Sequence, residues 1–136
     1  MSEKPVSALD DMLAGMSPTL DPSPHRYDRV SLFWACLLGW IWLLGKRSCI
    51  VWEKEGVSQI IPTTSGDRAT LFAKISLQVY SDLEGVGLTA AVSTALAKAG
   101  IACNVIAGYY HDHLFVPWER REEAMQILRG LSAQKG

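Results

Sequence analysis

His111-Asp112-His113 is the place in this sequence where side chains of metal-binding type cluster. On an extended strand, residues two apart share a face, so both imidazoles could reach one cation. Structural zinc takes four protein ligands and catalytic zinc three, yet His25 is the only other histidine and no cysteine is close in sequence. The trio therefore reads as a hairpin turn in which Asp112 supplies turn chemistry, and no metal site is assigned.

A second stretch, Ser81-Asp82-Leu83-Glu84-Gly85-Val86-Gly87-Leu88, offers different chemistry. The amides of Gly85, Val86, Gly87 and Leu88 fall at the start of a helix, where peptide N–H groups and the helix dipole favour an anion such as an amino-acid carboxylate. Asn104, on the strand after that helix, both donates and accepts hydrogen bonds. These residues form the candidate ligand-binding set. The same glycines also suit close helix–strand packing, and Asn104 equally suits a backbone group. The sequence carries no Gly-x-Ser-x-Gly, P-loop or dinucleotide fingerprint and no nucleophile-base-orienter set. It reads as non-enzymatic, with no catalytic residue and no cofactor.

The elements that must position these groups follow from periodicity. ATLFAKISLQVY puts Leu71, Ala73, Ile75, Leu77 and Val79 on one parity, a strand with one buried face. Leu88, Val92, Ala95, Leu96 and Ala99 form an apolar stripe at helical spacing, and Gly100 suits a left-handed helix end. Residues 101–108 are apolar on both parities apart from Asn104 and read as a central strand, with a return strand from His113 to Val116. Pro117 ends it, and Ala124, Ile127, Leu128 and Leu131 mark an amphipathic helix with a charged outer face. Strand, helix, strand, strand, helix lacks one strand of a βαββαβ sandwich. That strand has to come from residues 1–66 or from a second chain.

With those residues in view, SDLEGVGLTAAVSTALAKAGIACNVIAGYYHDHLFVP resembles the ACT-domain family of small amino-acid-binding regulatory modules. The resemblance rests on Gly87-Leu88, Leu96-Ala97, Ala99-Gly100-Ile101 and Asn104. More narrowly, LDDMLAGMSPTLDP and EKEGVSQIIP are similar to segments of small stand-alone bacterial proteins built from two ACT-like halves. The resemblance implies an α/β (α+β) ferredoxin-like fold, an antiparallel sheet with helices on one face. It also implies a homo-oligomer, a homodimer in the simplest case, and a small-molecule effector, with the glycine turn and Asn104 facing effector or paired subunit. The chain then divides into an N-terminal ACT-like half, 1–66, and a C-terminal ACT domain, 67–136.

Composition agrees with a globular protein: 136 residues, 49% hydrophobic, 20% charged. A net charge of −1 without a basic stripe speaks against nucleic acid. Cys36, Cys49 and Cys103 are odd in number and widely spaced, so they read as reduced thiols in a cytoplasmic protein. Residues 1–20 lack the basic head and apolar run of a signal peptide.

Earlier in the chain, Ser7 to Met16 suits a short helix with Leu9, Met12, Leu13 and Met16 on one face, and Pro18, Pro22 and Pro24 suggest a turn-rich connection. Val30 to Leu44, VSLFWACLLGWIWLL, is uncharged and holds three tryptophans. At 15 residues it is short of the ~20 a membrane span needs, and it reads as buried strands or a buried strand and loop. The alternative is a protein-interaction or membrane-surface patch. The family resemblance stops over this run; divergence or a local frame shift restored before Glu53 would each account for that. Ser48–Trp52 and Gly56–Pro62 read as a hairpin.

Overall fold

Alternation of the apolar Ala73, Ile75 and Leu77 with Phe72, Lys74 and Ser76 makes Phe72–Leu77 a strand (β4), and the first three are its buried positions, as the period-2 reading requires. The computed structural model describes residues 4–39 and 45–135. In chain order the elements are α1 (Leu9–Ala14), β1 (Pro18–Val30), α2 (Leu32–Leu37), β2 (Cys49–Glu53), β3 (Gly56–Pro62), β4, α3 (Leu88–Lys98), β5 (Asn104–Ala107), β6 (Asp112–Pro117), a short 3-10 turn (Trp118–Arg120) and α4 (Arg121–Ala133). They fall into two compact units, residues 1–22 with 73–136, and residues 23–72.

The first unit carries strand order β1-β4-β6-β5, with residues 18–22 of β1 in that place. The strand missing from the C-terminal pattern is therefore supplied from the N-terminal part of the same chain. Gln78 N donates to Met16 O at 2.7 Å, and Gln78 Nε2 to Thr19 Oγ1 at 2.7 Å, tying the start of β1 to the end of β4. Helices α1, α3 and α4 cover one face. Met12, Leu13 and Met16, with Leu88, Val92 and Leu96 and with Ala124, Met125 and Leu128, pack on Ile75, Leu77, Leu114 and Val116. Helix α3 ends as a Schellman motif: Gly100 N bonds Ala97 O at 2.9 Å, Ile101 N bonds Leu96 O at 3.0 Å, and Gly100 takes φ +68°. Arg120 Nη2 donates to Ala99 O at 3.0 Å, so the charged stretch at the start of α4 also holds the end of α3.

The second unit has strand order β2-β3-β1. Strand β1 pairs antiparallel with β3 from His25↔Pro62 to Val30↔Val57, and β2 with β3 from Cys49↔Ile60 to Glu53↔Gly56. The hairpin loop is thus only Lys54-Glu55. Arg47 Nε donates to Gln59 Oε1 at 2.7 Å, and Gln59 Nε2 to Asp28 Oδ2 at 2.8 Å, a polar relay from the segment before β2 through β3 to β1. Both units trace strand, helix, strand, strand, with the third strand between the first and second: β1-α2-β2-β3 and β4-α3-β5-β6. This is an internal repeat that identical residues do not reveal.

Three expectations need correction. The proline-rich segment is strand, not turns. Pro18, Pro22 and Pro24 are all even-numbered, so their missing amides point to one flank, and pairing with β3 begins only at His25. Residues 101–108 are not a covered central strand. Ile101 turns into the core at the helix end, and only Asn104–Ala107 forms a strand, at the edge of its unit's order. In the Trp-rich run, Leu32–Leu37 is a helix whose start Ser31 caps by accepting from Trp34 N at 3.5 Å. It is not buried: Phe33, Trp34 and Leu37 are exposed, and Ala35 alone of the helix is buried. Trp40 and Trp42 lie outside the described residues.

Candidate functional site

After β4 the chain makes a tight turn onto α3. Val6 brackets it: Val6 N donates to Tyr80 O and Asp82 N to Val6 O, each at 2.8 Å. Asp82 Oδ1 accepts from Glu84 N at 3.0 Å, and Gly85 N donates to Asp82 O at 2.8 Å. A Cβ on Gly85 would stand 2.9 Å from Asp82 O and 3.1 Å from Met12 Sδ. Gly87 is the N-cap of α3 with φ +106°, and a Cβ there would meet Leu9 Cδ2 at 3.0 Å. Both glycines therefore let α1 lie directly against the turn.

No side chain caps the N-terminus of α3. Val86 is 83% exposed on the turn, whereas the Leu88 side chain is in the core and only its backbone belongs to the turn.

Asn104 lies elsewhere. It opens β5 opposite Phe115, and Val105 and Leu114, the next pair, belong to the core side, so Asn104 stands on the sheet face away from the helices. The β5 end nearest the turn is Ala107, opposite Asp112, whose Oδ2 accepts from Ser81 Oγ at 3.1 Å. Asn104 is three residues further along the strand, about 10 Å at ~3.3 Å per residue. Within one chain the glycine turn and Asn104 do not meet in one pocket.

The His-Asp-His trio serves the sheet. Asp112 is buried and takes the Ser81 hydroxyl, so it ties β6 to the chain leaving β4 and does not cap a turn. His113 Nδ1 pairs with Ser76 Oγ at 2.8 Å and His111 Nδ1 with Val79 O at 3.4 Å. Burial, then the charge of Lys74, holds the His113 imidazole below its ordinary range. Burial pushes the Cys103 thiol up, in keeping with an unreactive thiol. Among the described residues no group of three or more potential ligands could hold a metal ion.

Sequence reasoning missed a cleft of 560 Å3 in the second unit, where the end of β1 faces the β2–β3 loop. Arg29 brings a cation to it, Glu53 and Glu55 bring anions, and Ser58 Oγ bonds Glu53 Oε1. The signal was faint: single charges flanking an alternating strand and its hairpin, legible only once β1 was known to pair with β3.

Strand, helix, strand, strand with a glycine turn between the first strand and the helix is a ferredoxin-like arrangement. The chain belongs to the ACT-domain family. The model of the ACT domain matches residues 71–130. Along most of its length the chain is similar to a Vibrio cholerae protein of unknown function, described as a possible transport protein. Identity is 35% over 87% of this chain and 91% of that one, with a TM-score of 0.70. It is also similar in fold to the ligand-free regulatory subunit of aspartate kinase from Thermus thermophilus, at 13% identity, 85% and 97% coverage and a TM-score of 0.61. A third likeness is to Escherichia coli aspartokinase III in complex with aspartate and ADP, at 16% identity and a TM-score of 0.64, covering 84% of this chain and 32% of that one. No curated protein matches the chain.

Proposed function

We propose that this protein is a non-enzymatic regulatory module that binds an amino acid or a similar small carboxylate-bearing metabolite, and that it does so as a homodimer. The observation that carries the reading is the uncapped start of α3 at Gly87, with Val86 turned outward beside it. The amides of Val86, Gly87 and Leu88 take the effector's carboxylate, where the N-terminal end of the helix dipole favours negative charge, while Gly85 shapes the turn with its amide donated to Asp82 O. Asn104 of a second copy supplies the hydrogen bonds that fix the rest of the molecule, because one chain does not bring it to the turn. Binding across two copies stabilises the assembled state, which couples ligand to assembly. Aspartate binding by the Escherichia coli enzyme in its solved complex makes a small amino acid the first ligand to try.

The test is a thermal-shift screen against the individual amino acids, with hits confirmed by calorimetry. A ligand at ~100 times its Kd adds about 2.7 kcal/mol to stability. Val86→Asp, at an exposed position, sets a fixed carboxylate at the helix start and is expected to weaken a carboxylate ligand at least tenfold without lowering Tm. Asn104→Ala is expected to weaken it as well. No shift with any amino acid, or a shift indifferent to both variants, removes this reading.

The exposed side chains of Phe33, Trp34 and Leu37 favour a second reading, an interaction module using residues 30–44. Among the described residues no helix is long and apolar enough to cross a membrane. Because Trp52 is exposed as well, iodide quenching of Trp34→Phe is compared with that of the parent protein, and no loss of quenching on that change removes the second reading.

A further inference from the structure

The two strand-helix-strand-strand repeats have cavities at the same topological place, where the end of the first strand faces the loop between the second and third. In the second unit that is the Arg29–Glu53–Glu55 cleft. In the first unit it is a separate cavity of 110 Å3 with different chemistry, lined by Pro5, Tyr80, Ser81, Asp82, Leu83 and Tyr109. Two tyrosines line it, and a third, Tyr110, packs against both. Tyr109 and Tyr110 stand edge to face with centroids 5.0 Å apart, and Tyr80 lies 5.6 Å from Tyr110 and 6.4 Å from Tyr109, tilted to both. Tyr109 and Tyr110 are more than 60% exposed, an unusual state for large rings that have one another to pack against.

Asp82 is part of its lining, and among the described residues of that lining there is no lysine, arginine or histidine. Burial and a hydrogen bond that the Tyr80 hydroxyl donates to Tyr109 hold the Tyr80 phenol above its ordinary range, with the Asp82 charge acting the same way.

We propose that Tyr80, Tyr109 and Asp82 form a binding site for an alkylated ammonium group. Aromatic faces inclined to one another attract a cation through their quadrupoles, and a quaternary or heavily alkylated nitrogen needs no hydrogen-bond acceptor once inside. A cavity of this size admits a head group and not a whole metabolite, so the remainder of the ligand extends past exposed Tyr110 into solvent. The site shares no residue with Gly85–Leu88 or Asn104, although Asp82 also holds the glycine turn by accepting from Glu84 N and Gly85 N.

The test is an NMR titration of the full chain with tetramethylammonium, followed at the tyrosine ring protons, beside a titration with choline and its neutral carbon isostere 3,3-dimethylbutanol. Saturable shifts with both cations, and at least tenfold weaker binding of the neutral alcohol, are the expected result. Tyr109→Leu keeps an apolar, exposed side chain and is expected to weaken tetramethylammonium about tenfold. Asp82→Asn preserves the oxygen that accepts from Glu84 N and is expected to weaken it several-fold. Equal binding of the neutral isostere, indifference to Tyr109→Leu, or no saturable shift overturns the proposal.

Discussion

Protonating His113 would put a charge on a half-buried ring already beside Lys74 and His111, and the ring is held below its ordinary range for those reasons, burial first. The sign of the consequence follows from linkage. Between the lowered folded value and the ordinary value of about 6.5, the unfolded chain binds more protons than the folded one, so stability rises with pH there. The contribution is complete above about pH 6.5 and is lost as pH falls from there through the folded value. His113→Gln is expected to flatten the pH dependence of urea midpoints between pH 7 and 5; an unchanged slope would place the titration elsewhere. Gly87 gives the second residue-scale prediction. Its φ of +106° and the 3.0 Å approach of Leu9 Cδ2 both oppose a side chain. Gly87→Ala is expected to cost about 1–2 kcal/mol in chemical unfolding, and the Leu9→Ala background, which removes the steric part, is expected to recover some of it.

At the scale of elements, helix α1 fills the core beside the glycine turn, and Met12 and Met16 within it are fully buried. Met12→Ala removes a side chain that also touches the space beside Gly85. It is expected to cost about 2–5 kcal/mol by equilibrium unfolding; a cost below 1 kcal/mol would mean α1 is not part of the folded unit. How well each element could be read in advance depended on where its information lay. Strand β4, helix α3 and helix α4 were legible because burial imposes a local period on them, and the Gly100 helix end because only a left-handed residue closes that motif. Strand β1 was not: three prolines argue for turns unless the flank to which their missing amides point is known, and that is a property of pairing. Helix α2 was hidden by composition, since uniformly apolar residues carry no period to distinguish helix from strand. The glycine turn was visible as a turn, but its close neighbour, α1, was not visible from the turn's own sequence. The tyrosine pocket was invisible for a similar reason, because Tyr80 and Tyr109 lie in separate loops that only the β4-β6-β5 order brings together.

For the whole molecule, the repeat sets up an inequality. The first unit encloses buried residues from three helices and its sheet, from Met12 through Ile75, Val92 and Leu114 to Leu128. In the second, the buried apolar side chains among the described residues are Ala35, Val57 and Ile60, and much of its polar structure is the Arg47–Gln59–Asp28 relay with Arg26 near Asp67 at 3.3 Å. Apolar burial at about 25 cal/mol per Å2 outweighs what part-exposed ion pairs contribute. Local opening free energies should therefore differ between the units, because protection follows buried apolar contacts and not hydrogen-bond count. Native-state hydrogen exchange resolves them residue by residue. The amides of Val57 and Ile60 are expected to exchange through openings of lower free energy and weaker urea dependence than those of Ile75, Leu96 and Leu114. Equal opening energies that merge with the global unfolding line would mean instead that the two repeats fold as a single cooperative structure. In that case a ligand on either one would stabilise both, and regulation would not need a second copy to spread from the glycine turn to the Arg29–Glu53 cleft.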